Sequence, residues 1–304
     1  MEVDDQPHSV EAATSPVHDE RYYFSDGGVI FLCEGVLYKL HKSRLAMKSD
    51  FFRAMFEMPQ GGRKEGHDNE HPIIMTENNM DFRNLLVFLY DISLGIYFYQ
   101  VHEVENPSLQ YYISILHLSR KYTIPSGVKY AVANPPTHRD FTPAIQLRLA
   151  RQYSILQWAD LGFQSLVFRR LKKITLADAE TMGVVAYHKL VQVHCQIQKL
   201  DLDLAFNPPT VVHSPGCLDE NVCSKLWDWA WWMGYAKQLL HPENVKSRDR
   251  ILDTLDPSKG ILSQMDELCL QNTLGAIREE NPFNDDEEYV LEASSELKAW
   301  MEGL

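Results

Sequence analysis

The sequence predicts an α+β fold, with its strands near the start and helices after them. Three observations carry this. Val29–Cys33 is an unbroken apolar run, the mark of a strand covered on both faces. Glu34-Gly35 then offers a two-residue turn, and Val36–Leu40 returns as a second strand. Beyond about residue 140, strand signals nearly vanish while helical periodicity continues.

Residues 1–20 are acidic and polar with little to bury, so they are expected to be disordered. The same composition argues against a signal or transit peptide. After the strand pair, His41-Lys42-Ser43-Arg44 opens a first helix. Ser49 is placed to N-cap a second, with Asp50 at its positive end. Phe52, Met55 and Phe56 then form one apolar stripe. A polar, glycine-rich loop over 59–72 leads to a strand at Ile73-Ile74-Met75. Asn78 or Asn79 caps a helix in which Phe82, Leu85, Leu86 and Leu89 share a face. The segment 95–99 is expected as an edge strand. Ser108 opens a helix carrying Tyr111, Ile115, Leu118 and Tyr122 on one face, and Pro125 begins a short helix after it.

Residues 134–140, Asn-Pro-Pro-Thr-His-Arg-Asp, mark a boundary between a first domain over 21–135 and an all-helical region over 141–304. Thr142-Pro143 pairs an N-cap with a proline at the first helical position. A repeat straddles this boundary. LHLSRKYTI at 116–124 and LRLARQYSI at 147–155 agree at five of nine positions, which predicts a repeated helical hairpin. Thr175 and Asp178 have capping-box spacing and predict a long helix through Leu200, with Ala186, Leu190 and Val193 on a heptad seam facing its own core. Residues 221–240 are apolar on two faces, so Trp227, Trp229, Trp231 and Trp232 are read as core. Asp285-Asp286-Glu287-Glu288 suits the start of a last helix.

The chain has 304 residues and a net charge of −13, an acidic balance that disfavours nucleic acid. No apolar run approaches the about 18 residues of a membrane span. Cys33, Cys195, Cys217, Cys223 and Cys269 are odd in number and widely spaced, against a disulfide framework. Cytoplasm or nucleus is the expected location. No catalytic arrangement emerges. Gly61 and Gly66 have phosphate-loop spacing, but His67-Asp68 follows where Lys-Ser/Thr is needed. The chain is read as a non-enzyme without cofactor. His213, Cys217 and Cys223 are weak candidates for a metal, with His194-Cys195 upstream and Asp266-x2-Cys269 downstream. The x5 spacing is looser than a zinc knuckle, so inert buried thiols are preferred.

Taken together, Val29-Ile30-Phe31, Tyr38-Lys39-Leu40-His41-Lys42, Leu45-Ala46 and Ser49-x-Phe51-Phe52-x-x-Met55-Phe56 resemble the start of the BTB/POZ domain. Tyr23-Phe24, Asp26-Gly27 and Arg44-Leu45-Ala46 look most like the BTB proteins of mushroom-forming fungi. The resemblance implies a small sheet capped by a cluster of helices and a protein–protein interaction module that self-associates as a homodimer or recruits a cullin scaffold. By position, the dimer surface would use 42–47 and 49–55, with Lys42, Arg44, Leu45, Phe51 and Met55 as candidates. Phe52 is preferred as core. A cullin groove would involve Tyr97, Phe98 and Tyr99. One departure stands out: Gly28 occupies the position where dimeric members carry an Asp that pairs with the basic residue after the His, here Lys42. Asp26 lies two residues too early.

Overall fold

The computed structural model describes residues 15–59, 65–92, 107–241, 247–255, 260–280 and 285–303. The chain divides into two compact units, Met1–Phe141 and Thr142–Leu304.

In the first unit, β1 (Val17–Tyr23), β2 (Val29–Cys33), β3 (Val36–Leu40) and β4 (Ile73–Ile74) form one sheet in the order β1-β3-β2-β4. β2 and β3 are antiparallel, with Phe31 opposite Tyr38. The turn between them holds Glu34 and Gly35 at φ of 43° and 80°, the left-handed pair that a two-residue hairpin needs. β1 runs parallel to β3, and β4 parallel to β2. The helices α1 (Lys42–Lys48) and α2 (Asp50–Glu57) lie between β3 and β4 in the chain, followed by α3 (Asn79–Val87), α4 (Leu109–Lys121) and α5 (Pro125–Ala133). Their caps are local. Ser49 accepts from the Phe52 amide, Asn78 from Asp81 and Ser108 from Tyr111. Phe31, Phe52 and Phe82 meet at ring separations of 5.9 and 6.0 Å, and Tyr38 packs edge-on to Phe82. These four rings join sheet to helices; full burial of each is worth about 1.5–3 kcal/mol.

β1 corrects one expectation. It begins at Val17, inside the stretch read as disordered; residues 1–14 lie outside the described residues. Asp19 Oδ1 accepts from the amides of Arg21 and Tyr22 at 2.9 and 2.8 Å. Both amides are thereby satisfied within the strand, and the register to β3 slips between His18 and Tyr23. Side chain and edge pairing thus make a strand from a polar sequence. The segment expected as an edge strand at 95–99 lies outside the described residues.

The α-helices described in the second unit are α6 (Pro143–Tyr153), α7 (Leu156–Val167), α8 (Leu176–Met182), α9 (Val184–Phe206), α10 (Glu220–Ala230), α11 (Lys237–Leu239), α12 (Arg248–Leu252), α13 (Glu267–Glu280) and α14 (Asp285–Glu302), with no strand among its described residues. Thr175 and Asp178 form the expected capping box. The expected single long helix is broken, however. Gly183 sits at φ +87° between α8 and α9, a conformation only glycine adopts without strain. Ala186, Leu190 and Val193 are buried, whereas Leu176 is exposed.

The tryptophans divide as well. Trp227 and Trp231 are buried and donate to the carbonyls of Pro209 and Leu204. Trp229 and Trp232 are 52% and 47% exposed. Six consecutive helical residues point around the axis and cannot bury all four in the same core, and the two that find carbonyl partners take the inner face.

The repeat is structural. α4 and α6 each end in a left-handed residue, Thr123 at φ 50° and Ser154 at φ 48°. The next residue in each case is an isoleucine whose amide bonds back five residues, Ile124 to Ser119 and Ile155 to Ala150. Each isoleucine then precedes a new helix, α5 or α7.

Candidate interaction face and thiol cluster

α1 and α2 follow β3 directly and set the candidate face. Ser49 joins them: it closes α1, caps α2 and donates to the Tyr122 carbonyl. Phe51 is 43% exposed, and its ring packs against Phe52 and Tyr122 at 5.5 and 5.2 Å. Phe52, one residue on, is buried. Met47 and Met58 are 68% and 60% exposed. Met55 is half-buried, and Lys42 Nζ lies 5.7 Å from the centre of the Phe56 ring.

Two candidates for the dimer face are corrected. Leu45 is buried and belongs to the core, because the face of α1 that it occupies is turned inward. Arg44 is engaged within the domain. Its guanidinium donates to the carbonyls of Leu89 and Tyr90 and lies 4.3 Å from the centre of the Tyr90 ring. Both carbonyls belong to the π-helical turn 88–92 that follows α3, where backbone acceptors are offset from the α-helical ladder. Tyr97, Phe98 and Tyr99 lie outside the described residues.

The residues ahead of β2 gather on the same point. Phe24 stacks on Tyr90 and tilts over His41, at 5.1 and 4.7 Å. The His41 amide donates to the Tyr90 hydroxyl, and His41 Nε2 lies 3.1 Å from Asp26 Oδ1. This contact holds the Asp26 carboxyl below its usual range. Gly27 has no room for a side chain: a Cβ there would stand 2.9 Å from the Lys39 carbonyl. At Gly28 a Cβ would meet only Lys42 Cγ, at 3.8 Å. Phe24, Asp26, Gly27, His41 and Arg44 therefore form one staple between the entry to β2, α1 and the end of α3.

In the second unit, the loop before α10 brings distant thiols together. Asp219 caps α10 through the Val222 amide, which places Cys223 in the first turn. Asp266 does the same for α13 through the Cys269 amide. The loop folds back at Ser214, whose carbonyl accepts from the Cys217 amide and whose hydroxyl donates to Asp266. Donor atoms of His213, Cys217, Cys223 and Cys269 consequently lie within 4.8 Å of one another. Burial and the neighbouring thiols push the Cys217 thiol up to about 12. Local spacing pointed to His213, Cys217 and Cys223. It did not join Cys269 to them, because that partner arrives through tertiary packing. His194 and Cys195 are not members of this group.

Residues 21–131 match the family model described as the BTB/POZ domain. No curated protein and no solved structure matches the chain, so the narrower likeness to proteins of mushroom-forming fungi has no relative behind it. No helix among the described residues is long and apolar enough to cross a membrane. The hairpin, the paired helices after it and the helical cluster over the four-stranded sheet agree with that match: residues 21–131 of this chain are a BTB/POZ domain, a protein–protein interaction module.

Proposed function

We propose that the chain is a non-catalytic scaffold that self-associates through α1 and α2 of its BTB/POZ domain. The exposure of Met47, Phe51 and Met58 supports this reading. Over α1, α2 and the residue that follows α2, the chain leaves three large apolar side chains exposed, the apolar area that a contact surface would cover. A two-fold axis would use each of them twice. Phe51 is 43% exposed, so burying the remainder would return about 0.6–1.3 kcal/mol in each copy. The five cysteines are all free thiols, which suits a reducing compartment.

Light scattering of the full chain over a concentration series tests the proposal. The expected result is a dimer that Phe51→Asp converts to a monomer with an unchanged circular dichroism spectrum. A wild-type chain that stays monomeric at every concentration would overturn it.

A further inference from the structure

We propose that His213, Cys217, Cys223 and Cys269 form a closed, four-ligand site for one zinc ion that fastens the loop before α10 to α10 and α13. Three sulfurs and an imidazole are a donor set suited to tetrahedral zinc. Arms of about 2.0–2.3 Å put the corners of such a tetrahedron about 3.3–3.8 Å apart. Cys217 Sγ and Cys223 Sγ are already 3.5 Å apart, and no pair of donors exceeds 4.8 Å. Small side-chain rotations close the remainder.

The imidazole is oriented for the task. His213 Nε2 lies 3.3 Å from the Ser224 hydroxyl, which itself donates to the Glu220 carbonyl. His213 Nδ1 is buried and makes no hydrogen bond. A ring held through one nitrogen, with the other unpartnered, is the arrangement that metal-binding histidines show. The thiolates are provided for too. Cys223 and Cys269 occupy the first turns of α10 and α13, whose amide ends favour negative charge. The Ser214 amide donates to Cys269 Sγ at 3.1 Å, and Asp266 fixes the Ser214 hydroxyl and the Cys269 amide.

Two other readings fit less well. A disulfide between Cys217 and Cys223 needs about 2.05 Å between sulfurs and leaves Cys269 and His213 unused. Inert packing accounts for Cys223 and Cys269, which belong to the tryptophan core, but not for the buried Nδ1. Four protein ligands leave no open position for substrate, so the ion's role is structural.

The test is metal analysis of the full chain, expressed with zinc supplied and purified without chelator or affinity tag. About one equivalent is expected, and the cobalt-substituted protein should show the thiolate-to-cobalt charge transfer of a tetrahedral site. Cys223→Ser and Cys269→Ser should each weaken the charge-transfer signal by about a third or more, since one of three thiolates is gone, while Cys195→Ser leaves it unchanged. A chelator should lower the melting temperature and shift tryptophan emission. Less than about a tenth of an equivalent in wild type, even after zinc is added to reduced protein, would overturn the proposal. So would zinc whose cobalt substitute lacks the charge-transfer band. Both wild-type readouts stand whether or not the serine variants fold.

Discussion

The carboxylate of Asp26 is paired with His41, not with Lys42: Oδ1 lies 3.1 Å from the imidazole Nε2. Asp26 is therefore no substitute for the Asp expected at position 28. Gly28 remains open beside Lys42, at an ordinary φ and with 3.8 Å between a would-be Cβ and Lys42 Cγ. Gly28→Asp should add a charge pair at the proposed interface without straining the backbone. An exposed pair is worth about 0.2–1 kcal/mol. The dimer dissociation constant should therefore fall by roughly two- to thirtyfold for two pairs, measured by light scattering or analytical centrifugation. A constant that does not move would mean Lys42 lies off the interface.

Arg44 separates fold from interface. Arg44→Met keeps much of the apolar stem but removes the guanidinium that donates to the Leu89 and Tyr90 carbonyls. The loss should be about 1–3 kcal/mol of unfolding free energy in urea, and the variant should still dimerise at concentrations where it is folded. Unchanged stability with lost dimerisation would reverse the assignment.

Glu77 gives the first unit an acid-sensitive contact. Burial pushes its carboxyl upward, but the Lys121 ammonium, the Tyr122 hydroxyl and backbone donors outweigh burial and leave it below its usual 4.5. A carboxyl lowered by folding contributes stability above its unfolded value, and that contribution disappears as pH falls through the folded value. Glu77→Gln should melt below wild type at pH 7, and the gap between the two curves should close as pH falls below 4.5. Parallel curves down to pH 3 would show that the ion pair contributes nothing. The Cys33 thiol, which donates to the Glu77 carbonyl, is raised by burial to about 11 and stays out of this titration.

Arg248 ties three helices of the second unit. It donates to Asp201 of α9 at 2.8 and 2.9 Å and meets Asp286 of α14 at 3.1 Å, with its own side chain 8% exposed. Arg248→Met leaves two carboxylates facing an uncharged side chain, and the loss should be about 3–5 kcal/mol. The triple variant with Asp201→Asn and Asp286→Asn should recover part of it, since the cost lies in the uncompensated charge. A triple variant no more stable than the single one would place the cost in packing, as chemical denaturation would show.

Many of the helix starts in both units were legible because their signals are local. Ser49, Asn78, Ser108, Thr142 and Thr175 each announce a helix within four residues, and each does cap one. β1 was not legible, since its polar sequence becomes a strand only through β3 and Asp19. The break at Gly183 was hidden by an apolar seam that runs straight through it. At the candidate face, the pattern separated Phe51 from Phe52. It could not reveal that Arg44 is engaged with Leu89 and Tyr90, some 45 residues on. The same limit applies to the thiols: 46 residues separate Cys223 from Cys269 in sequence, and only packing brings them within reach.

The corner shared by Thr123-Ile124 and Ser154-Ile155 has a consequence for how such a chain is assembled. Its shape depends on a left-handed residue, one amide bonding back five positions and an isoleucine, all within the repeated stretch. Nothing in that set requires the surroundings of one unit over the other. The corner is a portable joint: exchanging residues 116–124 and 147–155 would preserve the bend of the backbone, and a helical tail can lengthen by copying the joint together with the helix before it.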